Sequence, residues 1–476
     1  MGMSTPPPPV PVVRKSLRPW YYLGGFVLLT IAAVWGFSAV TSWLRDRELA
    51  ALYAEMDADD PHWRWPDLIA NLPAPPPDDR NSAVQILKVR GPVARSTFAP
   101  VIFPKDVIHP PNIRLPDKHA KALRAVFDKL DPALLEETRK LKDLPAGRFK
   151  IEPTENPHDP AYDYPIHLGI LNVMRLLQHD AIRRADERDT EGAAESCQAL
   201  LNIIQTINDA PGLMAYLIRA AGQSKAIGAI ERTLGHGEVS EPRLKQLQAA
   251  LAHEAEFNGL YHNLRGERAM IHQLYAMVRE GKVPLSKLNQ GMNANRGKFG
   301  WIYDLFPSSV LGDHAENLRG LNELVEASKR KDEAQAAAFA VLEKKMLNNP
   351  SPFAASAGPI LGMVSSEHPI AQARLRCAVA AIAAERYRIA NNRWPSSADE
   401  LVKSGLLKEI YNDPFDGQPL RWKRTATGII IYSVGPDRTD NGGKLNRSGG
   451  QAPGTDIGFE LWLPSFRALS IGMAHD

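Results

Sequence analysis

The side chains of this sequence best suited to metal chemistry are histidines and glutamates within one short span. They are His253, Glu254, Glu256, His262, Glu267 and His272. Imidazole nitrogens and carboxylate oxygens bind zinc and iron, and a bound metal can activate water for hydrolysis. None of the spacings matches a known pair of ligands on one helix face, and alternating His and Glu is also typical of a solvated polar face. A metal-dependent hydrolase and a plain surface therefore both stay open, with the surface favoured.

Signatures of other chemistries are absent from the sequence. It contains no HExxH zinc motif, Walker loop, dinucleotide-binding glycine pattern, GxSxG elbow or paired CxxC motif. Asp413, Asp416 and Asp437 are carboxylates, but Asp-Pro and Asp-Gly are strong turn formers, so we interpret these residues as turn residues. The sequence therefore predicts a non-enzymatic protein.

Two short polar segments have both a functional and a packing interpretation. Residues Arg265 to Arg268 read Arg-Gly-Glu-Arg, and we predict that they form Arg–Glu ion pairs that pack one helical hairpin on the next. Residues His62 to Trp65 alternate polar and aromatic side chains, which is typical either of a ligand-binding patch or of packing.

One charge-free stretch sets the context of all these residues. It runs from Pro19 to Leu44, whereas a helix needs about 20 apolar residues to cross the hydrocarbon layer of a membrane. Aromatic residues typical of membrane–water interfaces stand at both ends: Trp20, Tyr21, Tyr22 and Trp43. We therefore predict a single transmembrane helix over residues 19–44.

The charges beside this stretch predict its orientation. Arg14, Lys15 and Arg18 precede it, while the charges of Arg45 to Glu48 cancel one another, so the positive-inside bias places the N-terminus in the cytoplasm. A secretory signal peptide has an apolar core of only about 7–15 residues, so we expect an uncleaved anchor in the cell (inner) membrane. Residues 1–18 are predicted to be a disordered cytoplasmic tail, and the bulk of the chain is expected outside the cytoplasm.

Composition excludes some partners. The chain has 476 residues and a formal net charge of +3, which gives no reason to expect nucleic acid. Its two cysteines, Cys197 and Cys377, would lie where disulfides can form, yet each sits in an apolar helical pattern. We predict that both are buried free thiols.

Apolar spacing predicts a mainly α fold with several regions. Residues 45–158 are proline-rich with short helices, and residues 159–282 repeat apolar residues at helical spacing, which predicts a helical-hairpin, solenoid-like domain without a strict repeat. Residues 283–369 are predicted to be an irregular helical connector. In residues 370–476 a helix from Ile370 to Asn391 precedes short β-like runs, which predicts a small separate α+β domain.

The end of the chain carries its most specific pattern. A helix that ends at Arg393-Trp394-Pro395 precedes four ordered elements: Asp413 to Trp422, Ile429 to Asp437, Asp440 to Gly443 and Asp456-Ile457. This order resembles the C-terminal region of the major pseudopilin of type II secretion, where a DPWGNPY-like turn leads into a strand and YSLGADG-like and DI elements follow. The resemblance implies a pseudopilin-like fold for residues 370–476.

The same resemblance implies a metal site. In those pseudopilins an acidic loop holds calcium, which implies that Asp437, Asp440 and Asp456 are ligands here, alongside backbone carbonyls. Arg438 stands where the family commonly has glycine, and Arg447 lies in a longer loop. The alternative is a glycine-rich hairpin whose aspartates cap turns.

Two further resemblances concern the rest of the chain. Gly25 to Thr30 resembles the GFTLxE processing site of prepilins, although Thr30 replaces the glutamate, so a divergent pseudopilin is one alternative. Leu144 to Phe149, Arg184 to Ala194 and Leu264 to Ala269 resemble segments of uncharacterised single-span proteins common in Planctomycetes. That family brings no activity with it.

These observations together predict a membrane-anchored interaction or scaffold protein outside the cytoplasm with an unidentified protein partner. A link to envelope assembly or secretion follows by analogy with the pseudopilin resemblance. A membrane-bound metal-dependent hydrolase using the His253 to His272 cluster is the alternative from another class.

Overall fold

Helices dominate the computed structural model, which describes residues 18–96, 110–151, 160–283, 314–348, 352–447 and 453–470. In that part of the chain 67% of the residues are helical. The first helices are α1 (Arg18–Asp59), α2 (Trp65–Ala70), α3 (Ser82–Arg95), α4 (Asp117–Phe127), α5 (Pro132–Arg139), α6 (Pro160–Asp186) and α7 (Thr190–Thr206). They are followed by α8 (Leu213–His236), α9 (Glu241–Glu256), α10 (Gly259–Arg279), α11 (His314–Ser328), α12 (Asp332–Leu347), α13 (Pro352–Asn391) and α14 (Ala398–Lys403). The predicted cytoplasmic tail lies outside the described residues.

The first helix, α1, continues from the apolar stretch into the folded body without a break. Its first half is long and apolar enough to cross a membrane, and large side chains there are exposed, such as Trp35 at 75%. Farther along, Leu49, Leu52 and Met56 are buried and pack with Leu318 of α11. One helix therefore has an unpartnered apolar half and a half that belongs to the core.

Helices α6 to α10 form the centre of the body, and their ends follow the local signals of the sequence. The chain breaks before α7 at Arg188, which adopts a positive φ of 69°, and the Asp189 carboxylate then caps α7 by accepting the N–H of Gly192 at 2.9 Å. Asn258 caps α10 in the same way by accepting the N–H of Tyr261 at 3.2 Å. At Gly259 an added Cβ would lie 1.9 Å from the Arg219 guanidinium, so a larger residue would displace the guanidinium that pairs with Glu254.

A small antiparallel sheet packs against one side of the helices. Its strands are β1 (Arg421–Arg424), β2 (Gly428–Ser433) and β3 (Ile457–Trp462), in the order β1-β2-β3. Ile431 at its centre pairs with Trp422 on one side and Phe459 on the other. Every residue of β2 is buried, since α13 covers the sheet.

The core of the sheet is continuous with that of the helices. One cluster of buried side chains includes Leu200 of α7, Leu251 of α9, Ile382 of α13 and Phe459 of β3. The helix predicted from Ile370 in fact begins at Pro352, so the predicted boundary at residue 370 falls inside α13. Residues on both sides of that boundary therefore share one core.

Both cysteines lie in this core as free thiols, as predicted. Cys197 and Cys377 are each 0% exposed, and the Cys197 sulfur lies 3.9 Å from the Thr233 hydroxyl. Burial raises the pKa of Cys197 to about 12, and it also raises the pKa of Cys377.

One carboxylate fixes the end of α1 to the body. Asp60 directly follows the helix and accepts hydrogen bonds from Arg265 at 2.6 and 2.9 Å, and from the fully buried Arg268. Burial opposes ionisation of Asp60, but the Arg265 hydrogen bond and the Arg268 charge outweigh it and lower the pKa of Asp60. The prediction of Arg–Glu ion pairs between helical hairpins is therefore wrong for Arg265 and Arg268, because their anionic partner is Asp60 and they fix the end of α1 to α10. Glu267 accepts the N–H of Leu213 instead.

Asp60→Ala should lower the free energy of unfolding of the full-length protein in detergent by about 3 kcal/mol, since it leaves the buried Arg268 charge without its carboxylate. Urea unfolding followed by tryptophan fluorescence measures this. Asp59→Ala is the matched control, because Asp59 is exposed, and its effect should stay within about 0.5 kcal/mol. Equal effects of the two substitutions would show that the ion pairs do not hold α1.

Candidate functional site

The three predicted calcium ligands lie in one loop after β2, where each accepts hydrogen bonds from nearby groups. Asp456 is 1% exposed and accepts the N–H of Asn441 at 3.2 Å and of Gly443 at 2.7 Å. Asp437 and Asp440 are exposed. Asp437 accepts the N–H groups of Thr439 and Gly454, each at 3.0 Å, and Asp440 accepts that of Gly442 at 2.8 Å.

This bonding pattern fits the turn-capping alternative. A calcium site needs several oxygens with free lone pairs directed at one point. Here the carboxylates are directed at backbone N–H groups, and the Lys423 ammonium lies 2.5 Å from the Gly442 carbonyl oxygen. Among the residues that the structure describes, no group of three His, Cys, Asp or Glu side chains is placed to hold a metal. Calcium binding stays a prediction.

A fourth carboxylate, Asp413, organises the start of the sheet. It is fully buried and accepts hydrogen bonds from the N–H groups of Phe415 and Val434, from the Ser433 hydroxyl and from Arg421, all at 2.8–2.9 Å. The interpretation of Asp413 as a turn residue is confirmed. Its four donors also tie the turn to β2, which the sequence did not indicate.

Among the described residues, the histidines and glutamates of the predicted hydrolase site do not gather into a group of three, although His253 Nδ1 lies 3.7 Å from Glu254 Oε1. His253 and His262 flank the ring of Phe257, with centroid distances of 5.8 and 5.0 Å and nearly parallel planes. Glu254 is fully buried and pairs with Arg219 at 2.8 Å. The surface interpretation is therefore wrong for Glu254, because α8 and α10 cover it, and the hydrolase interpretation finds no shared centre among the described side chains.

His272 is buried in a different place, against His314 of α11. The two rings face each other, with His272 Nδ1 3.2 Å from His314 Nε2, and Tyr275 stacks on His314 at a centroid distance of 4.3 Å. Tyr53 of α1 and Trp63 close the cluster at centroid distances of 5.2 and 4.7 Å from His272. This cluster lies where α1 meets the body.

The charges around this histidine pair keep it neutral. Burial and the neighbouring cations Arg64, Arg279 and Arg268 lower the pKa of His272 to about 4. Asp57 opposes this effect, but it is bound to Arg64 and accepts the Trp63 indole N–H at 2.9 Å. Burial also lowers the pKa of His314.

The segment from His62 to Trp65 serves packing. Trp63 is 0% exposed and Trp65 is 1% exposed, and each lies in a separate cluster of buried side chains. The ligand-binding interpretation of this aromatic patch is therefore wrong, because the rings are inaccessible.

Two cavities formed by the described residues offer places where a partner or ligand can bind. The first is a groove of about 500 Å³ between the C-terminal part of α1 and helices α11 and α12. Val341 lies on its wall and is 67% exposed. The second is a polar cavity of about 480 Å³ where the end of α9, the start of α12 and helix α13 meet residues 408–412. No sequence motif marks either cavity, since their linings come from segments far apart in the chain.

Comparisons of the chain with protein-family models, with curated proteins and with solved structures gave no match. The functional argument therefore depends on the geometry of this chain.

His272→Gln should make stability less sensitive to acid. Because folding lowers the pKa of His272 from its usual 6.5 to about 4, the unfolded chain binds more protons between these values, and the free energy of unfolding falls as pH decreases through this window. Each pKa unit corresponds to about 1.4 kcal/mol. Urea unfolding at pH 7 and pH 4.5 should show a fall smaller by at least about 1 kcal/mol in the variant.

His253→Gln is the control for this measurement, because its side chain is 54% exposed. An unchanged pH dependence in His272→Gln, or the same change in His253→Gln, would contradict the role of the buried pair.

Asp456→Ala should lower the free energy of unfolding by about 2 kcal/mol with or without calcium, because it leaves the N–H groups of Asn441 and Gly443 unpaired. Asp437→Ala, at an exposed position of the same loop, should cost less than about 1 kcal/mol. Thermal unfolding with calcium and with a chelator measures both. If calcium stabilises the unmodified chain and Asp456→Ala abolishes that shift, calcium binds and the turn-capping interpretation fails.

Proposed function

We propose that this chain is a non-enzymatic, membrane-anchored interaction protein that presents its helical body at a fixed height outside the cytoplasm. The observation that carries the proposal is the continuity of α1. A single helix includes the apolar stretch and the buried residues Leu49 and Met56, and Asp60 fixes its end. A stiff connection of this kind sets both the distance and the orientation of the body relative to the membrane.

The geometry of the helix gives the distance between the membrane surface and the end of α1. From residue 45 to residue 59 the helix rises about 22 Å, at 1.5 Å per residue. Ion pairs support this segment from the side, since Arg319 of α11 lies 2.7 Å from Glu48 and Arg279 of α10 lies 3.7 Å from Asp46. A flexible tether would need none of these contacts.

The interaction role is supported by the surface beside this segment. The groove between α1, α11 and α12 faces solvent, and its lining combines Leu52 and Leu342 with the charged side chains of Arg319 and Glu326. An apolar floor with a charged rim is the usual composition of protein-binding surfaces. The partner that we propose is therefore a protein of the same membrane or of the adjoining envelope.

The proposed link to secretion or envelope assembly depends on the pseudopilin resemblance of residues 370–476. The antiparallel order β1-β2-β3 and the helix α13 that precedes and covers the sheet are compatible with such an α+β element. A permanent, uncleaved anchor with the N-terminus in the cytoplasm is part of the same proposal.

Site-specific photo-crosslinking in native membranes tests the proposal. A photoreactive residue at Val341 should give one discrete adduct whose partner, identified by mass spectrometry, is a membrane or envelope protein. The same residue at Leu87 of α3, which is 43% exposed, is the positional control. Equal adduct patterns at the two positions, or no adduct at Val341, would contradict the proposal.

A second experiment distinguishes a rigid connection between the membrane and the body from a flexible one. Replacing residues 45–48 with four glycines should break α1 and reduce the Val341 adduct at least about three-fold, since glycine costs a helix about 1 kcal/mol per residue relative to alanine. Four alanines at the same positions remove the same charges but keep the helix, and they should preserve the adduct. Equal loss in both variants would assign the effect to the charges.

A further inference from the structure

The polar cavity beside α13 has the size and lining of a small-molecule site. Its volume is about 480 Å³, within the range of roughly 300–1,000 Å³ typical of ligand pockets. Four segments build it: the connection from α9 to α10, the turn from α11 to α12, helix α13 and residues 408–412. It lies apart from the groove beside α1, although Arg330 contributes to both linings.

One wall of the cavity carries cations without anionic partners. Arg330 and Lys331, in the turn between α11 and α12, are exposed, and their side chains make no hydrogen bond or ion pair with the described residues. The neighbouring Asp332 is occupied, because it pairs with Arg376 of α13 at 2.6 Å. Two positive charges on this wall are therefore free for a carboxylate or another anion.

The same wall holds a buried amide side chain whose orientation is fixed. Gln335 is 6% exposed, and its amide nitrogen donates to the carbonyl oxygens of Ser328 and Arg330, each at 3.0 Å. Two carbonyl partners fix which end of the amide is the nitrogen. With its nitrogen occupied in this way, Gln335 Oε1 is the side-chain atom that can accept a hydrogen bond from a ligand in the cavity.

Another part of the cavity lining is anionic and partly apolar. Glu409 is exposed and has no cationic partner among the described side chains, while Glu256 lies 4.0 Å from Lys408. Phe257 and Tyr411 also line the cavity, and the Arg219 guanidinium lies 5.1 Å from the Phe257 ring. This part of the lining thus offers a carboxylate beside apolar surface.

The floor contributes a neutral histidine. His368 of α13 lines the cavity, and its Nδ1 lies 3.1 Å from the Tyr216 hydroxyl. Burial and the charges of Arg219 and Arg376 lower the pKa of His368 to about 4. The free charges of the cavity are therefore positive on one wall and negative on another part of the lining.

We propose that this cavity binds a small zwitterion, a free amino acid or a short peptide with both termini unblocked. The ligand carboxylate lies against Arg330 and Lys331, and the ligand ammonium lies against Glu409. The ligand side chains contact Phe257 and Tyr411. This site is independent of the interaction role of the groove, so either proposal can fail without the other.

Calorimetric titration of the full-length protein in detergent with four alanine dipeptides tests the site. Ala-Ala carries both charges, N-acetyl-Ala-Ala only the carboxylate, Ala-Ala-amide only the ammonium and N-acetyl-Ala-Ala-amide neither. Ala-Ala should bind at least about ten-fold more tightly than the doubly blocked dipeptide. No heat with Ala-Ala up to about 10 mM, or equal affinity for all four, would overturn the proposal.

Two substitutions test the orientation. Lys331→Gln should weaken Ala-Ala and N-acetyl-Ala-Ala but leave Ala-Ala-amide unchanged. Glu409→Gln should weaken Ala-Ala and Ala-Ala-amide but leave N-acetyl-Ala-Ala unchanged. Lys329→Gln is the matched control, because Lys329 precedes the same turn but pairs with Glu326 outside the cavity, and it should change none of the affinities. Equal effects of Lys331→Gln and Lys329→Gln would contradict the assigned site.

Discussion

The burial of the Arg268 guanidinium is the constraint on which the joint between α1 and the rest of the body depends. A buried cation is tolerated only when a carboxylate and further acceptors surround it, and here Asp60 and the Asn322 side chain oxygen supply them. Asp60 can do so only if α1 ends where it does, with Trp63 packed over Arg268 at 5.5 Å. The end of α1 and the buried Trp63 are part of this arrangement, and the Arg268 charge adds to burial in lowering the pKa of His272.

The features that the sequence predicted are those with local causes. The first half of α1 coincides with the charge-free stretch that predicted a helix over residues 19–44. The free state of Cys197 and Cys377 follows from the apolar pattern around each. In every case the residues that decide the outcome lie within a few positions of one another, so the pattern alone carries the information.

The features that the sequence missed depend on residues far apart in the chain. Asp60 and Arg268 are separated by 208 positions, and no spacing rule connects them. The shared core across residue 370 depends on α13 packing against α8, α9 and β3 at once, which a change of composition along the chain does not indicate. The same limit applies to the polar cavity, because its free charges are identified only after the paired ones, such as Asp332 with Arg376, are known.

The two buried thiols have a consequence for the chemical durability of the molecule. Oxidants and disulfide exchange act on the thiolate, and a thiol with a pKa of about 12 is ionised in roughly one molecule in 10⁵ at neutral pH. Cys197 is in addition fully enclosed by the helices that pack around it. Even in an oxidising compartment, Cys197 then stays reduced until the core opens. The rate at which a thiol reagent labels Cys197 would therefore measure how often the fold opens.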